Sequence, residues 1–598
     1  MRSTSLAAAG AFAHNLRFPS MIAAMPIAIP PLAEFSYADV SLTSDLHERQ
    51  LRETHAVLMG LSEDSLLKPL RQMAGQPAPG ADLGGWYHYD PDYDPNTVTT
   101  GFAPACTFGQ WVSALARMYA ITGSQATREK VLRLNRLYAQ TISPDFYEKN
   151  RFPSYCYDKL VCGLSDSHQF ASDPDAFRIL EQTTNTALPH LPGKAIEHGR
   201  RWRQNPAVGY TWDESYTISE SLLIAYQRGA GERYRTLGAQ YLDDEYYDPL
   251  AEGRNVLAGR HAYSYVNSLS SAMLAYLTLG SAKHLHAASN AFDMLAAQSY
   301  ATGGWGPDEQ LRAPNSEDLA ASLTSTHSSF ETPCGSYAHF KLTRYLLRVT
   351  RDPRYGDSME RMMYNTILGA KPLLPDGSTF YYSDYNFHGS KFYKPDHWPC
   401  CSGTLPQVTA DYRINTYFRD FSGVYVNLYI PSTLRWQQQD AKASLTQTSE
   451  YPFDATVNFN VKLSRPAEFA LNLRIPAWTE GASISVNGKS TPASVIPGRF
   501  VAIRRQWKDE DRIELDLPMR LRLEPIDPQH PQTIALICGP LVLFALTGAP
   551  PIVTARQLLA AKKIGPQSWQ VETPAGKLAM LPFTAIADQP YSTYLTVK

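Results

Sequence analysis

Three of the seven cysteines in this 598-residue chain stand in one stretch. Cys334 closes Glu331-Thr332-Pro333-Cys334, and an adjacent pair lies in Trp398-Pro399-Cys400-Cys401-Ser402-Gly403-Thr404. Three thiols with a carboxylate beside the first match the ligand number and kind of a tetrahedral zinc site. A thiolate is also a nucleophile, so the residues alone leave three uses open: a structural zinc clamp, a catalytic centre, or a strained disulfide between Cys400 and Cys401. The odd cysteine count and the chain length exclude a small disulfide-framework protein. Cys106, Cys156, Cys162 and Cys538 read as buried small hydrophobes.

Both cysteine groups belong at helix starts. Pro333 suits a first helical turn with Thr332 as N-cap and Cys334 just inside, and Gly403-Thr404 precedes a helical pattern from Leu405 to Phe418. The helix dipole lowers a thiol pKa there, and a coordinated zinc deprotonates the thiol outright. Upstream, Gly303-Gly304-Trp305-Gly306-Pro307-Asp308-Glu309 is a glycine-rich loop ending in two carboxyls. Trp305 is suited to stacking on a sugar ring and Glu309 to supplying a proton, with Asp308 and Glu317 competing for that role and a solvated acidic turn as the plain alternative. His261, Glu360 and the tyrosines of Phe380-Tyr381-Tyr382-Ser383-Asp384-Tyr385 are further candidates for substrate contact, each with a purely structural alternative.

These residues need a scaffold, and the patterning describes one. Apolar residues recur at helical spacing over Trp111–Ile121, Glu129–Thr141, Ser219–Arg228, Ser268–Leu279, Ala287–Gln298 and Phe340–Val349. Paired helices in long succession predict an all-α toroid whose loops at one end form a site. Near residue 420 the period changes to two, as in Thr456–Leu463, Phe469–Ile475 and Ser483–Val486, with a hairpin signal at Asn487-Gly488. The expected domains are therefore a helical barrel over 35–420, a β-sandwich over 421–525, and 526–598 as its end or as a second small β-unit. Residues 1–34 read as either the tail of an export signal, pointing to the periplasm or secretion, or a disordered extension compatible with the cytoplasm.

Composition narrows the function. The 55 Lys and Arg against 57 Asp and Glu give a net charge of −2, with no basic block for nucleic acid to bind. No apolar run is long enough to span a membrane. The 35 tyrosines and 10 tryptophans suit aromatic-lined clefts of the kind that hold carbohydrate.

Taken together, the marks resemble glycoside hydrolase family 127, whose typical member is a β-L-arabinofuranosidase. They are Gly303-Gly304 with a following Glu, Glu331-Thr332 with Cys334, Glu360 with Tyr364-Asn365, and Cys400-Cys401 after Trp398-Pro399. The resemblance covers roughly 35–545 and implies an (α/α)6 barrel followed by β-sandwich domains. It further implies zinc held by Glu331, Cys334, Cys400 and Cys401, with Cys400 as nucleophile and Glu309 as general acid/base of a retaining mechanism. His261, Glu360 and Tyr382 fall on its substrate-contacting positions. Three departures stand out: Pro333 is inserted between Glu331 and Cys334, and Gln110 and Asp158 occupy places where histidines lining the sugar pocket are usual. The expected function is release of terminal L-arabinofuranose, or a similarly shaped sugar, from a glycan. An inactive carbohydrate-binding or scaffold protein with structural zinc is the alternative. Adjacent cysteines favour the enzyme, because a structural site has no need of vicinal ligands.

Overall fold

Six helices form a closed inner ring in a computed structural model describing residues 30–93, 100–200, 202, 213–393, 400–548 and 550–598, without the side chains of Glu331 and Thr332. The apolar stretch Ser3–Ala13 and the Trp398-Pro399 dipeptide lie outside the described residues. In order round the ring the helices are Phe108–Thr122, Pro153–Ala171, Ile218–Gln227, Ala262–Leu279, Thr332–Thr350 and Cys400–Thr416, and the last packs back against the first. Outer helices including Asp45–Gly60, Gln125–Ala139, Ala176–Ala187, Glu232–Gln240, Ala282–Ala296 and Arg354–Asn365 pack against them, so this part is an (α/α)6 barrel. The inner position explains the sequence pattern: in Cys400–Thr416 every residue is buried, so no polar face breaks the helix.

Two local solutions bring the inner helices close. Gly109 and Gly163 meet across the first two, where a Cβ on Gly109 would lie 1.9 Å from the Lys159 carbonyl oxygen. Pro406 sits inside the last inner helix and has no N–H to give the Ser402 carbonyl, which instead accepts the Trp111 indole N–H at 3.0 Å.

The helix over Cys400–Thr416 begins five residues before the expected Leu405, so both vicinal cysteines lie in its first turn. The Cys334 helix begins at Thr332. All six inner N-termini therefore point the same way, and the loops at that end carry Glu309 and Tyr382.

Beyond the barrel, a five-stranded and a seven-stranded sheet form the sandwich, and an eight-stranded sheet opens at Leu521–Pro525. The Asn487-Gly488 turn has φ of +52° and +76°, the left-handed pair that a tight hairpin requires. Residues upstream of the barrel also join the sandwich: Ala33–Glu34 pairs with Tyr417–Arg419, and Val40–Leu42 with Ser432–Gln438. The last sheet braces the site loops, since the Tyr594 hydroxyl accepts the Ala301 N–H at 2.6 Å and the Tyr591 N–H donates to the Gly389 carbonyl. None of the described helices is long and apolar enough to cross a membrane.

Candidate active site

Cys334, Cys400 and Cys401 meet at the inner-helix N-termini, with Sγ–Sγ separations of 3.0 Å for Cys334–Cys401, 3.6 Å for Cys334–Cys400 and 3.9 Å for Cys400–Cys401. All three are buried and none is in a disulfide, which removes the strained Cys400–Cys401 bridge. Burial and the two neighbouring thiols push Cys401 well above the ordinary thiol range. Three buried sulfurs this close need a cation to be ionised together, and an ideal tetrahedral zinc–thiolate set has S–S edges of about 3.8 Å. The donor set fits such a metal. Glu331 lies in the short strand Phe330–Glu331, paired with Tyr382–Ser383, which fixes its backbone beside Cys334; its side chain lies outside the described residues.

Glu309 faces this group from the glycine-rich loop. Its carboxylate accepts the Tyr382 hydroxyl at 2.6 Å and lies 3.2 Å from His261 Nε2. An isolated antiparallel bridge, His261 with Gln310, ties the loop to the start of the Ala262–Leu279 helix. Asp308 and Glu309 both have positive φ, +55° and +60°. That conformation costs an ordinary residue about 1–2 kcal/mol, and side chains held so at a cleft are a mark of function. Gly306 makes the approach feasible: a Cβ there would stand 2.3 Å from that of Ala262.

Electrostatics separate the carboxylates. Burial raises the Glu309 pKa, but the His261 hydrogen bond and charge, with the Tyr382 and Tyr381 hydroxyls, outweigh it and hold the carboxyl below its usual range. For His261 burial works against the proton, yet Glu309 and Glu214 raise its pKa. Glu214, buried behind His261, is pushed up to about 7 by desolvation, in spite of His261 and Lys159.

The competing acids point elsewhere. Asp308 accepts from Thr326 at 2.5 Å and Arg312 at 3.2 Å on the outer side of the loop, and Glu317 is exposed. Trp305, expected to stack on sugar, is 2% exposed and stacks instead on His339, centroids 4.8 Å apart, with its edge toward Phe330. Its ring is spent on the core. Glu360 is likewise placed away from the cysteines: 1% exposed, it binds Arg474 at 2.7 Å and the Tyr451 hydroxyl at 2.7 Å across the seam between barrel and sandwich.

Gln110 and Asp158 sit deeper than expected. Gln110 donates to Gln407 at 3.3 Å, Asp158 binds Lys159 at 2.7 Å, and both line an axial cavity of about 550 Å³ that extends toward Arg117 and Lys341. The cysteines, Glu309 and His261 are not among its walls.

Sequence reasoning did not single out Glu214 or Trp86. Trp86, half-buried, packs against the group of Cys334, Cys400, Cys401, Tyr263, Tyr381 and Tyr382. No motif or spacing marks either residue, and Trp86 lies some 250 residues upstream of the cysteine stretch.

The match to the family model "β-L-arabinofuranosidase, GH127 catalytic domain" covers residues 39–413, and that to the GH127 middle domain covers 423–519. The chain belongs to glycoside hydrolase family 127. Among solved structures, a GH127 β-L-arabinofuranosidase from Geobacillus stearothermophilus T6 aligns with TM-score 0.70 at 17% identity, over 94% of this chain and 100% of that one. A second GH127 β-arabinofuranosidase gives 0.71 at 17% identity, over 95% and 98%. These likenesses show the shared fold. No curated protein matches the sequence.

Proposed function

We propose that the protein is a zinc-dependent retaining glycosidase that releases terminal L-arabinofuranose, or a sugar of similar shape, from a glycan. The observation that carries this reading is one juxtaposition. Cys400 Sγ lies 3.9 Å from the Tyr381 hydroxyl, and Tyr381 also reaches Glu309, so a thiol and a carboxyl face one cleft across two tyrosines.

Cys334, Cys400 and Cys401 would hold the metal, with Glu331 as the fourth ligand. Bound zinc supplies a positive charge that keeps these thiols ionised near neutral pH. The chain's own groups then divide the work. Glu309, once protonated, gives its proton to the leaving oxygen while the Cys400 sulfur attacks the anomeric carbon and the glycosidic bond breaks. Glu309, now a carboxylate, takes a proton from water, which displaces the sulfur and releases the sugar with its original configuration. Tyr382 and His261 orient the Glu309 carboxyl throughout.

The choice of sugar is supported by the family and by the two solved relatives, both arabinofuranosidases. A panel of aryl furanosides and pyranosides of both series tests it, with the product anomer read by NMR before mutarotation. Hydrolysis of an L-arabinofuranoside with retention is expected. Net inversion, or no hydrolysis of any furanoside by metal-loaded protein, would refute the proposal.

A further inference from the structure

Behind Glu309 a line of polar groups runs into the barrel wall. His261 Nε2 faces Glu309 Oε2 at 3.2 Å, while Nδ1 faces Ser264 Oγ at 2.6 Å and Glu214 Oε1 at 3.7 Å. His198 stacks on His261, ring centroids 5.0 Å apart and planes within 5°, with its own Nδ1 3.9 Å from that same Glu214 oxygen.

Glu214 is anchored from both sides. Its neighbour Asp213 accepts the Ser154 N–H at 3.0 Å and the Ser154 hydroxyl at 2.7 Å, which caps the Pro153–Ala171 helix. The Glu214 carbonyl accepts the Thr217 N–H and hydroxyl at 3.0 and 2.9 Å. The side chain is 2% exposed, and a buried carboxylate is costly unless it interacts with a partner. The nearest positive or protonatable groups are His261, His198 and Lys159. Neither bond-making step described above touches Glu214.

We propose that Glu214 is the positioning residue of the acid–base centre, holding the His261 ring so that Nε2–H points at the Glu309 carboxylate. The inference rests on the reading of Glu309 as acid/base. Ser264, whose hydroxyl lies 2.6 Å from Nδ1 and also hydrogen-bonds Glu214, links the carboxylate to the ring; a carboxylate on that side favours a proton on Nδ1, so the ring offers Nε2–H to Glu309 as the doubly protonated imidazolium, held between two carboxylates. His198, parallel to His261, covers one face of the ring. The same three residues bring metal-ligating atoms within 4.8 Å of each other. Both His261 nitrogens are, however, already engaged by Ser264 and Glu309.

The test compares wild type with Glu309→Gln, Glu214→Gln, Glu214→Asp, His261→Asn and the double variant Glu214→Gln/His261→Asn on aryl glycosides of graded leaving-group acidity. Glu214→Gln should lower kcat about 10–100-fold with KM within about twofold, the range seen when outer-shell partners are lost. The loss should be steepest for poor leaving groups, as in Glu309→Gln, and smaller in Glu214→Asp. The double variant should be no slower than His261→Asn alone, since the two residues act as a unit. Histidine ¹⁵N spectra, with the His261 signals assigned by their absence in His261→Asn, should show the doubly protonated ring of wild type giving way to the neutral form in Glu214→Gln. Unchanged His261 signals, additive losses in the double variant, or a second bound metal lost with Glu214 would each overturn the proposal. A flat leaving-group response in Glu309→Gln would sink the acid/base reading instead, and the ¹⁵N comparison would still decide whether Glu214 orients His261. If Glu214→Gln fails to fold, Glu214→Asp carries the same comparisons.

Discussion

Cys334 Sγ and Cys401 Sγ stand 3.0 Å apart although 67 residues separate them, closer than either stands to Cys400. The pair is made by two helix N-termini meeting at one end of the barrel, so each thiol is presented by a rigid element. Loss of either should be felt as loss of metal before loss of fold.

Purified wild-type protein is therefore expected to carry one zinc per chain, and Cys334→Ala or Cys401→Ala to carry far less, because removing one thiolate leaves too few ligands. Elemental analysis after gel filtration checks this. Fully active protein without metal would contradict it.

Glu309→Gln should fold normally and turn over slowly, with the deficit about 10²–10⁴-fold on poor leaving groups and small on acidic phenols, which need no proton. A series of substituted phenyl glycosides measures the slope. The same pattern in Asp308→Asn would move the acid by one residue, against the outward contacts of Asp308.

Cys400 should accumulate a sugar–sulfur adduct when a fluorinated or epoxide-bearing sugar analogue slows the second step. Peptide mass spectrometry places the label. Its appearance on Cys401, with Cys400 unmodified, would reassign the nucleophile.

How much of this was legible depended on what each helix faces. Two expected helices began late, Ser268 where the helix starts at Ala262 and Leu405 where it starts at Cys400, whereas the start at Thr332-Pro333 was legible from its cap and proline. In both cases the missed turns hold Tyr263, Ser264, Cys400 or Cys401, side chains turned to the site in place of the apolar period. The strands Thr456–Leu463 and Ser483–Val486 were read to the residue, since one face of each is core and alternation survives. The cysteines were legible by type. Trp305 and Glu360 were not placed by type, because a tryptophan or a carboxylate in a motif says nothing of the His339 ring or the Arg474 guanidinium that occupies it.

Glu360→Ala should cost about 2–3 kcal/mol of stability, because it removes one of the two carboxylates that pair with the wholly buried Arg474 and leaves Asp357 as the other. A lowered urea midpoint with unchanged KM in the folded protein is the expected result. A raised KM without destabilisation would restore Glu360 to the substrate pocket.

Strong acid should weaken the far end of the barrel. Burial raises Asp166, but Arg117 and Arg228 outweigh it and hold its pKa below the ordinary value of 3.8. Its contribution is thus fully present above that value and fades as pH falls through the lower folded-state pKa. Asp166→Asn should flatten the stability-versus-pH curve below about pH 4; an unchanged acid limb would show that other carboxylates govern it.

The strand Val40–Leu42 lies against Ser432–Gln438, and Arg435 reaches the Ser41 hydroxyl across 394 residues of chain. During synthesis the ribosome releases this edge strand long before its partner exists. The barrel must therefore assemble with a tether waiting at its base, and the sheet can be finished only after the ring has closed. Long-range pairing of this kind slows folding and exposes an unpaired edge meanwhile. A barrel cut away at its boundary with the sandwich would keep that edge permanently open, deprived of the partners of both upstream strands.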